Sequence, residues 1–524
     1  MKQRKASIAL VLALIITLTA CGGAGTASSV ATTSAAKSHT LVYGSNDYTR
    51  INPALDEHGE INALLFDGLT AHDQDNQVVP RLAESWVWAE ERNTYTFYLR
   101  QDVTWHDGTP FTAADVKFTI EAIQDPANES ENASNYEDVE EITVVDDHTI
   151  TFQLSAPNAA FLDYMTMAIL PKHLLEGKDL QTDAYFRHPI GTGPYQMESW
   201  DAGQSITLVR NEAYFRGKAN IQRIVFRIIP DSSAKALQLK SGELTLSQVT
   251  PKDAQLFVDA ENQTIYQMKT ADYRGVLYNF GNPYWQKNAD LIPALNYAID
   301  RQAMVDAVLL GAGEAAYSPL QRNEYNCEDV ERYEYAPDKA VQTLEAAGCT
   351  KGEDGYYYRG GEKLGFVLSV GAGDQVRLDM AQIAAQQWQA IGVDVTVEVP
   401  TQVDWGGQEA YLIGWGSPFD ADDHTYKVFG TGKGSNYSSY SNPLVDQYLT
   451  QARQTDEEQK RKEAYAQFQK ALAEQPAYTF FCYIDAFYVA DSRLTGLTPE
   501  TILGHHGVGV FWNVLDWTLE EANP

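Results

Sequence analysis

The sequence predicts a mixed α/β fold, and three features carry that prediction. Short segments alternating apolar and polar side chains have the period of half-buried strands. Other stretches place an apolar residue every three or four positions, the period of amphipathic helices. Gly- and Pro-containing turns separate the two kinds in mixed order. At roughly 150 residues per domain, 524 residues suggest about three structural units. An apolar content of 44%, with 11% aromatic, is enough for large cores and excludes global disorder.

The strands come first, at 40–43, 95–99 and 149–154. Between them Thr112-Ala113-Ala114-Asp115 has the spacing of a capping box, with Asp in place of the usual Glu, and opens a helix through Val116, Phe118 and Ile123. A second helix is expected from Pro293, because Leu295, Ala298, Ile299, Val305 and Leu309 fall within one apolar arc. A third has Thr455-x-x-Glu458 as its box and Tyr465, Phe468 and Leu472 on one side, and it ends before Pro476. Gly191-Thr192-Gly193-Pro194, Gly360-Gly361 and Gly371-Ala372-Gly373 mark turns.

The amino terminus indicates the compartment. Lys2, Arg4 and Lys5 precede an uncharged run at 8–18, too short to cross a bilayer but suited to a signal-peptide core, so residues 1–20 are expected to be removed. Leu18-Thr19-Ala20-Cys21 resembles a bacterial lipobox, in which Cys21 becomes the lipidated first residue. From 22 to 38 the chain is almost entirely Gly, Ala, Ser, Thr and Val, with Lys37 its only charge, so 21–39 is expected to be a lipidated flexible tether. No later apolar run reaches membrane-spanning length. The expectation is a soluble body outside the cytoplasm, held to the bacterial cell membrane by lipid alone. Cys327 and Cys349 are candidates for a disulfide in that setting, which their spacing leaves open.

Charge and motifs exclude several functions. With 39 Lys and Arg against 71 Asp and Glu, the formal charge of −32 would repel nucleic acid. The Gly-Lys pairs at 177, 217 and 432 are never followed by Ser or Thr, so there is no P-loop, and G-x-S-x-G and H-E-x-x-H are missing too. No C-x-x-C pair supports a zinc ribbon or a thioredoxin-like site. An enzyme is not expected, nor is a cofactor. His505-His506 carries metal-ligand chemistry but sits in a Gly-flanked loop setting, which favours a bland reading. Asp420, Asp422, Asp423 and His424 form the densest acid and imidazole cluster, and either a cation site or a solvated helix start would need those residues.

Several segments in order resemble the extracytoplasmic solute-binding proteins of family 5, which serve ABC importers of dipeptides, oligopeptides and nickel. They are Val79-Pro80-Arg81-Leu82-Ala83-Glu84-Ser85-Trp86, the stretch Thr104-Trp105-His106-Asp107-Gly108-Thr109-Pro110-Phe111-Thr112-Ala113-Ala114-Asp115-Val116, Gly191-Thr192-Gly193-Pro194-Tyr195, the helix Ala294-Leu295-Asn296-Tyr297-Ala298-Ile299-Asp300-Arg301, and Tyr335-Ala336-Pro337-Asp338-Lys339-Ala340. Physically these segments are turn and cap chemistry that specifies fold. The resemblance implies a two-lobed periplasmic-binding-protein-like fold of the large cluster C type, with an extra subdomain in the first lobe and a hinge of two crossing strands. Lobe I would take 40–59, 187–272 and 490–524, the extra subdomain 60–186, and lobe II 273–489. A monomer would capture a peptide ligand between the lobes and present it to ABC permease transmembrane subunits with their ATPase subunits.

In the family's peptide binders an aspartate beyond a Gly-Trp segment takes the peptide's α-ammonium. The corresponding segment is 412–420, so the resemblance implies that Trp415 and Gly416 wall the peptide's path and Asp420 meets the ammonium, with Trp405, Tyr278, Asn279 and Tyr488 near the cleft. The acid stands farther from the tryptophan than is usual, and 415–420 also resembles the nickel-chelate branch, which makes His424 the metal-binding candidate of the alternative. Chelate binders of that branch use arginines of the extra subdomain, and no Arg occurs between Arg100 and Arg187. A peptide is therefore the expected solute and a metal chelate the alternative, with an extracytoplasmic hydrolase a distant third.

Overall fold

The computed structural model describes residues 40–55, 59–505 and 509–520. Cys21, the segments 1–20 and 21–39, and His506 lie outside them. An 11-stranded mixed sheet runs through the body. Its order is Asp394–Glu398, Gly365–Ser369, Ala410–Trp415, Gln263–Tyr278, Tyr478–Asp491, Leu246–Val249, Thr40–Ser45, Arg223–Ile228, Ser205–Arg210 and Tyr195–Asp201, with Gly313–Ala315 added to Tyr478–Asp491. A separate four-stranded antiparallel sheet joins Ala83–Ala89, Thr94–Leu99, Thr149–Leu154 and Val139–Asp146.

Two long antiparallel strands connect the halves of the molecule. Gln263–Tyr278 pairs with Tyr478–Asp491, with register breaks between Lys269 and Tyr273 and between Arg274 and Gly275. On one side of the first break Met268, Ala486, Tyr488 and Ala490 belong to a core that also holds Tyr43, Phe97 and Trp105. On the other side, Tyr273, Val276 and Phe481 enter two further clusters around Trp388 and Tyr465. The same two strands therefore pass from one core to the next. At the break Arg322 Nη1 donates to Thr270 O at 2.9 Å, Ile484 O at 3.1 Å and Asp485 Oδ1 at 2.8 Å, filling backbone acceptors that the ladder leaves unused.

Local sequence chemistry explains the helices near the site. Thr112 N–H donates to Asp115 Oδ2 at 2.9 Å, completing the capping box of Ala113–Gln124. The apolar arc expected from Pro293 onward is two helices, Ile292–Tyr297 and Arg301–Leu309, because Asp300 turns extended and caps the second by accepting from Ala303 N–H at 3.0 Å. The third helix starts later than its box, at Glu458, since Thr455 Oγ1 accepts from Glu457 N–H instead, and it ends at Glu474 before Pro476. Cys327 and Cys349 are free thiols. Among the described residues no helix is long and apolar enough to cross a membrane.

Candidate functional site

The strand Ala410–Trp415 ends at a residue only glycine tolerates. Gly416 has φ of +146°, and a Cβ there would lie 1.8 Å from Ala271 O. That close approach presses the following loop onto the long strand at its register break. The loop then crosses to the other core. Phe419 stacks flat on His72, with centroids 3.8 Å apart and planes at 5°, and His72 Nε2 lies 2.9 Å from Asp163 Oδ1.

Two cavities open along this seam. The larger, about 340 Å³, is lined from one side by Glu60, Asp67, His72, Asn132, Asn135 and Asp163. Gly416 to Phe419, Asp423, His424 and Thr501 to His505 line its other side. The smaller, about 170 Å³, is lined by Glu131, Arg377, Trp405, Tyr411, Trp415, Tyr437 and His505 among others, so His505 borders both. In the smaller one Tyr437 lies between two nearly parallel indoles, 4.3 Å from Trp405 at 20° and 6.1 Å from Trp415 at 21°. Such a wall offers flat apolar faces to an elongated guest.

The sequence did not single out Arg377. It sits in the first turn of Gln375–Ala390, where the helix dipole opposes a cation. Burial and the neighbouring guanidinium of Arg274 push it down to about 10, still a cation at neutral pH. Asp374 Oδ2 lies 3.2 Å from Nε, yet Nε and Nη2 have no hydrogen-bond partner among the described residues. A half-satisfied guanidinium in a cavity is suited to an anion such as a carboxylate.

The acidic run behaves differently from its expected role. Asp420 does not line either cavity: Arg461 holds it with two bonds of 2.7 Å, and the pair is 8% and 7% exposed. The place expected for an ammonium is thus already filled by an internal guanidinium. Asp422, fully buried, takes Arg453 Nε at 3.0 Å and the Tyr164 hydroxyl. Arg453 also reaches Asp138 Oδ2 at 3.4 Å, and Lys433 meets Glu137 Oε1 at 2.7 Å, so one side of the seam is closed by buried and half-buried ion pairs. Asp423 reaches the larger cavity, 3.1 Å from Lys427 Nζ.

Three expected cleft residues stand elsewhere. Tyr278 is fully buried, its hydroxyl 2.6 Å from Thr479 Oγ1 and its ring against Trp285. Tyr488 is fully buried in the first core. Asn279 donates to Gly406 O at 3.1 Å and Gln408 O at 2.9 Å, so it pins the loop carrying Trp405 and does not line either cavity. Trp415, Gly416 and Trp405 do line them.

The two histidines differ in tautomer. His424 Nδ1 accepts from Gly416 N–H at 3.0 Å, so its neutral ring carries the proton on Nε2. His505 Nδ1 lies 2.8 Å from Asp272 Oδ1 and donates to it, since a carboxylate only accepts. The rings are 6.5 Å apart. No group of three or more metal-ligating side chains occurs among the described residues. Beside the larger cavity, burial raises the Glu60 carboxyl to about 7, against the opposing pull of the Tyr43 hydroxyl and the Lys235 ammonium.

One mixed sheet whose two central strands pass between cores, with cavities along the seam, defines a two-lobed binding protein. The chain belongs to the bacterial extracellular solute-binding proteins, family 5, whose middle-region model matches residues 77–437. It is 30% identical over 554 residues to the oligopeptide-binding protein AppA of Bacillus subtilis, covering 99% of this chain and 100% of that one. The AppA structure with a nonapeptide superposes with TM-score 0.83 at 27% identity, over 92% of this chain and 99% of that one. NikZ of Campylobacter jejuni, in complex with Ni(L-His), gives TM-score 0.86 at 35% identity over the same shares.

Proposed function

We propose that this chain binds short peptides between its lobes and delivers them unchanged to an ABC importer. The carrying observation is Arg377, a buried cation with unused donors in an aromatic-walled cavity. A peptide's terminal carboxylate supplies two oxygens for that fork, while the rings of Trp405, Tyr437 and Trp415 give side chains apolar contact without demanding one sequence. The relationship to AppA supports the same ligand class.

The lobes would be 40–59 with 187–272 and 490–524, and 273–489, with 60–186 as the extra subdomain. A ligand touching both lobes has more contacts in the closed form and stabilises it by that difference in affinity, the register break acting as hinge. The permease reads the closed shape, and ATP hydrolysis belongs to its own subunits. The mature protein is a monomeric lipoprotein held through Cys21 outside the bacterial cell membrane, and it catalyses nothing. The test is calorimetric titration with a peptide pool and then with single peptides as free acids and carboxamides. Tight binding of the acids and at least tenfold weaker binding of the amides is expected, and equal affinity removes Arg377 from its role.

A metal chelate is the second reading, carried by His505, whose Asp272 partner is the usual support of a metal-ligating imidazole, and by the likeness to NikZ. His424 is the weaker ligand of the two, since Gly416 N–H occupies its Nδ1 and the proton sits on Nε2. Thermal stabilisation by nickel with L-histidine, and by no peptide, decides for this reading.

A further inference from the structure

The larger cavity keeps one acid that the protein does not answer with a cation. Among the described residues Glu60, Asp67, Asp73, Asp163 and Asp423 line it. Asp67 has Arg81 Nη1 at 3.6 Å and the Tyr214 hydroxyl at 2.9 Å, Asp163 has His72 Nε2 at 2.9 Å, and Asp423 has Lys427 Nζ at 3.1 Å. Asp73 serves its turn, accepting from the backbone N–H groups of Asp75 and Gln77, both at 2.9 Å. Glu60 differs. Its Oε2 accepts the Tyr43 hydroxyl at 2.8 Å, while Lys235, which pulls on it from farther off, donates to Asn46 Oδ1 at 3.1 Å instead. Its Oε1 makes no hydrogen bond among the described residues and is reachable by solvent.

The surroundings of this acid are apolar: Pro53, Ala63, Phe66, Met167 and Trp512 line the same space of about 340 Å³. Apolar walls with one uncompensated carboxylate suit a group that is apolar along its length and cationic at its end. That is the chemistry of a lysine or arginine side chain, whereas an α-ammonium has no such stem. An anionic group would meet repulsion there.

We propose that the larger cavity takes a basic side chain of the bound peptide, with Glu60 accepting from its head group and the apolar walls covering its methylene stem. This rests on the peptide reading and deepens it, since the aromatic wall of the smaller cavity selects no charge. Burial raises the Glu60 carboxyl to about 7, so a cation arriving beside it displaces a proton that the empty protein holds at pH 5.5. The hydroxyls facing it, of Tyr43, Tyr48 and Tyr488, are pushed up by burial and stay neutral, and burial pushes Lys235 down. Asp67 and Asp163, both raised by burial, and the imidazoles of His72, His424 and His505 line the cavity as well, so the pH dependence is assigned through Glu60 itself.

The experiment uses the full chain and alanine peptides of two to six residues carrying one arginine at each position in turn, each with its twin in which neutral citrulline replaces arginine. Titration calorimetry is run from pH 5.5 to pH 8. At one arginine position the wild type is expected to bind the arginine peptide at least about tenfold more tightly than its twin at pH 8, the worth of a charge-assisted hydrogen bond, and to lose that advantage toward pH 5.5. Acetylating the amino end leaves the advantage in place. Glu60→Gln binds the two twins alike at every pH, and without ligand it melts at or above the wild-type temperature at pH 8, because the amide oxygen still accepts from Tyr43 and no buried charge remains.

If the wild type binds peptides but treats the twins alike at every position, or if Glu60→Gln keeps the arginine advantage, the assignment falls while the peptide reading stands. An advantage that disappears on acetylation also overturns it, since the cavity then takes the amino end. If the wild type binds none of the peptides, both the reading and the assignment fall.

Discussion

Two stretches of the chain bring charge to the same seam and resolve it in opposite ways. Between 420 and 424 the acids are largely answered by the protein itself: Asp420 by Arg461, Asp422 by Arg453 and Tyr164, Asp423 by Lys427. Between 374 and 377 one cation is packed beside another guanidinium, in a helix turn that disfavours it, with two nitrogens unbonded among the described residues. The denser cluster is answered within the protein, whereas Arg377 keeps unbonded nitrogens beside its contact with Asp374. Density of ionisable residues marks where a fold must neutralise charge; a binding site shows where it has not done so.

Breaking the first stretch gives the largest effect. Arg453→Leu leaves Asp422 and the Tyr164 hydroxyl buried without their cation, and urea unfolding is expected to show a loss of about 3–5 kcal/mol, the usual cost of removing one partner from a buried pair. Peptide affinity per folded molecule changes little. A loss below about 1 kcal/mol shows that the pair is solvated and dissolves the contrast.

Arg377→Gln comes next and has the opposite signature. Unfolding stability is unchanged or higher, because a poorly partnered buried cation leaves, while affinity for peptides with a free carboxylate falls about 100-fold, near 2.7 kcal/mol. Stability falling together with an intact affinity makes Arg377 one more structural ion.

Sequence reading reached the parts of this picture whose causes are local. The capping box at Thr112 and Asp115 was legible because both partners lie within four residues, and Trp415, Gly416 and Trp405, which the resemblance to family segments brings near a cleft, line the two cavities. What escaped depends on partners distant in the chain. Asp420 looked available because its guanidinium lies 41 residues further on. Arg377 looked like an ordinary surface residue because its strain comes from Arg274 on the long strand, although a cation three residues past an Asp cap was a readable warning. The split at Asp300 escaped for a different reason: periodicity continued across it, and only the cap geometry ended the helix.

A smaller effect tests the aromatic wall beside Arg377. Trp405 is 37% exposed and keeps its ring through Tyr437 and Tyr411. Trp405→Ala is expected to cost about 1 kcal/mol of stability and roughly tenfold in affinity for peptides with large apolar side chains, less for glycine-rich ones. Equal loss for both kinds of peptide makes the wall a support for the loop and not a contact surface.

A further effect is read through pH and concerns Glu60, where burial and not a partner sets the charge. Its carboxyl, raised to about 7 against an ordinary 4.5, faces the Tyr43 hydroxyl, with Tyr48, Tyr488 and Lys235 nearby. A raised acid keeps its proton in the folded state after the unfolded chain has lost it, so folding is penalised progressively as pH climbs from about 4.5 through 7, and the penalty is complete above that. Glu60→Gln does not titrate. Its urea midpoint relative to wild type is therefore expected to rise from pH 5 to pH 8, with most of the change between pH 5 and 7. A difference that stays constant with pH means that Glu60 is solvated like an ordinary surface acid.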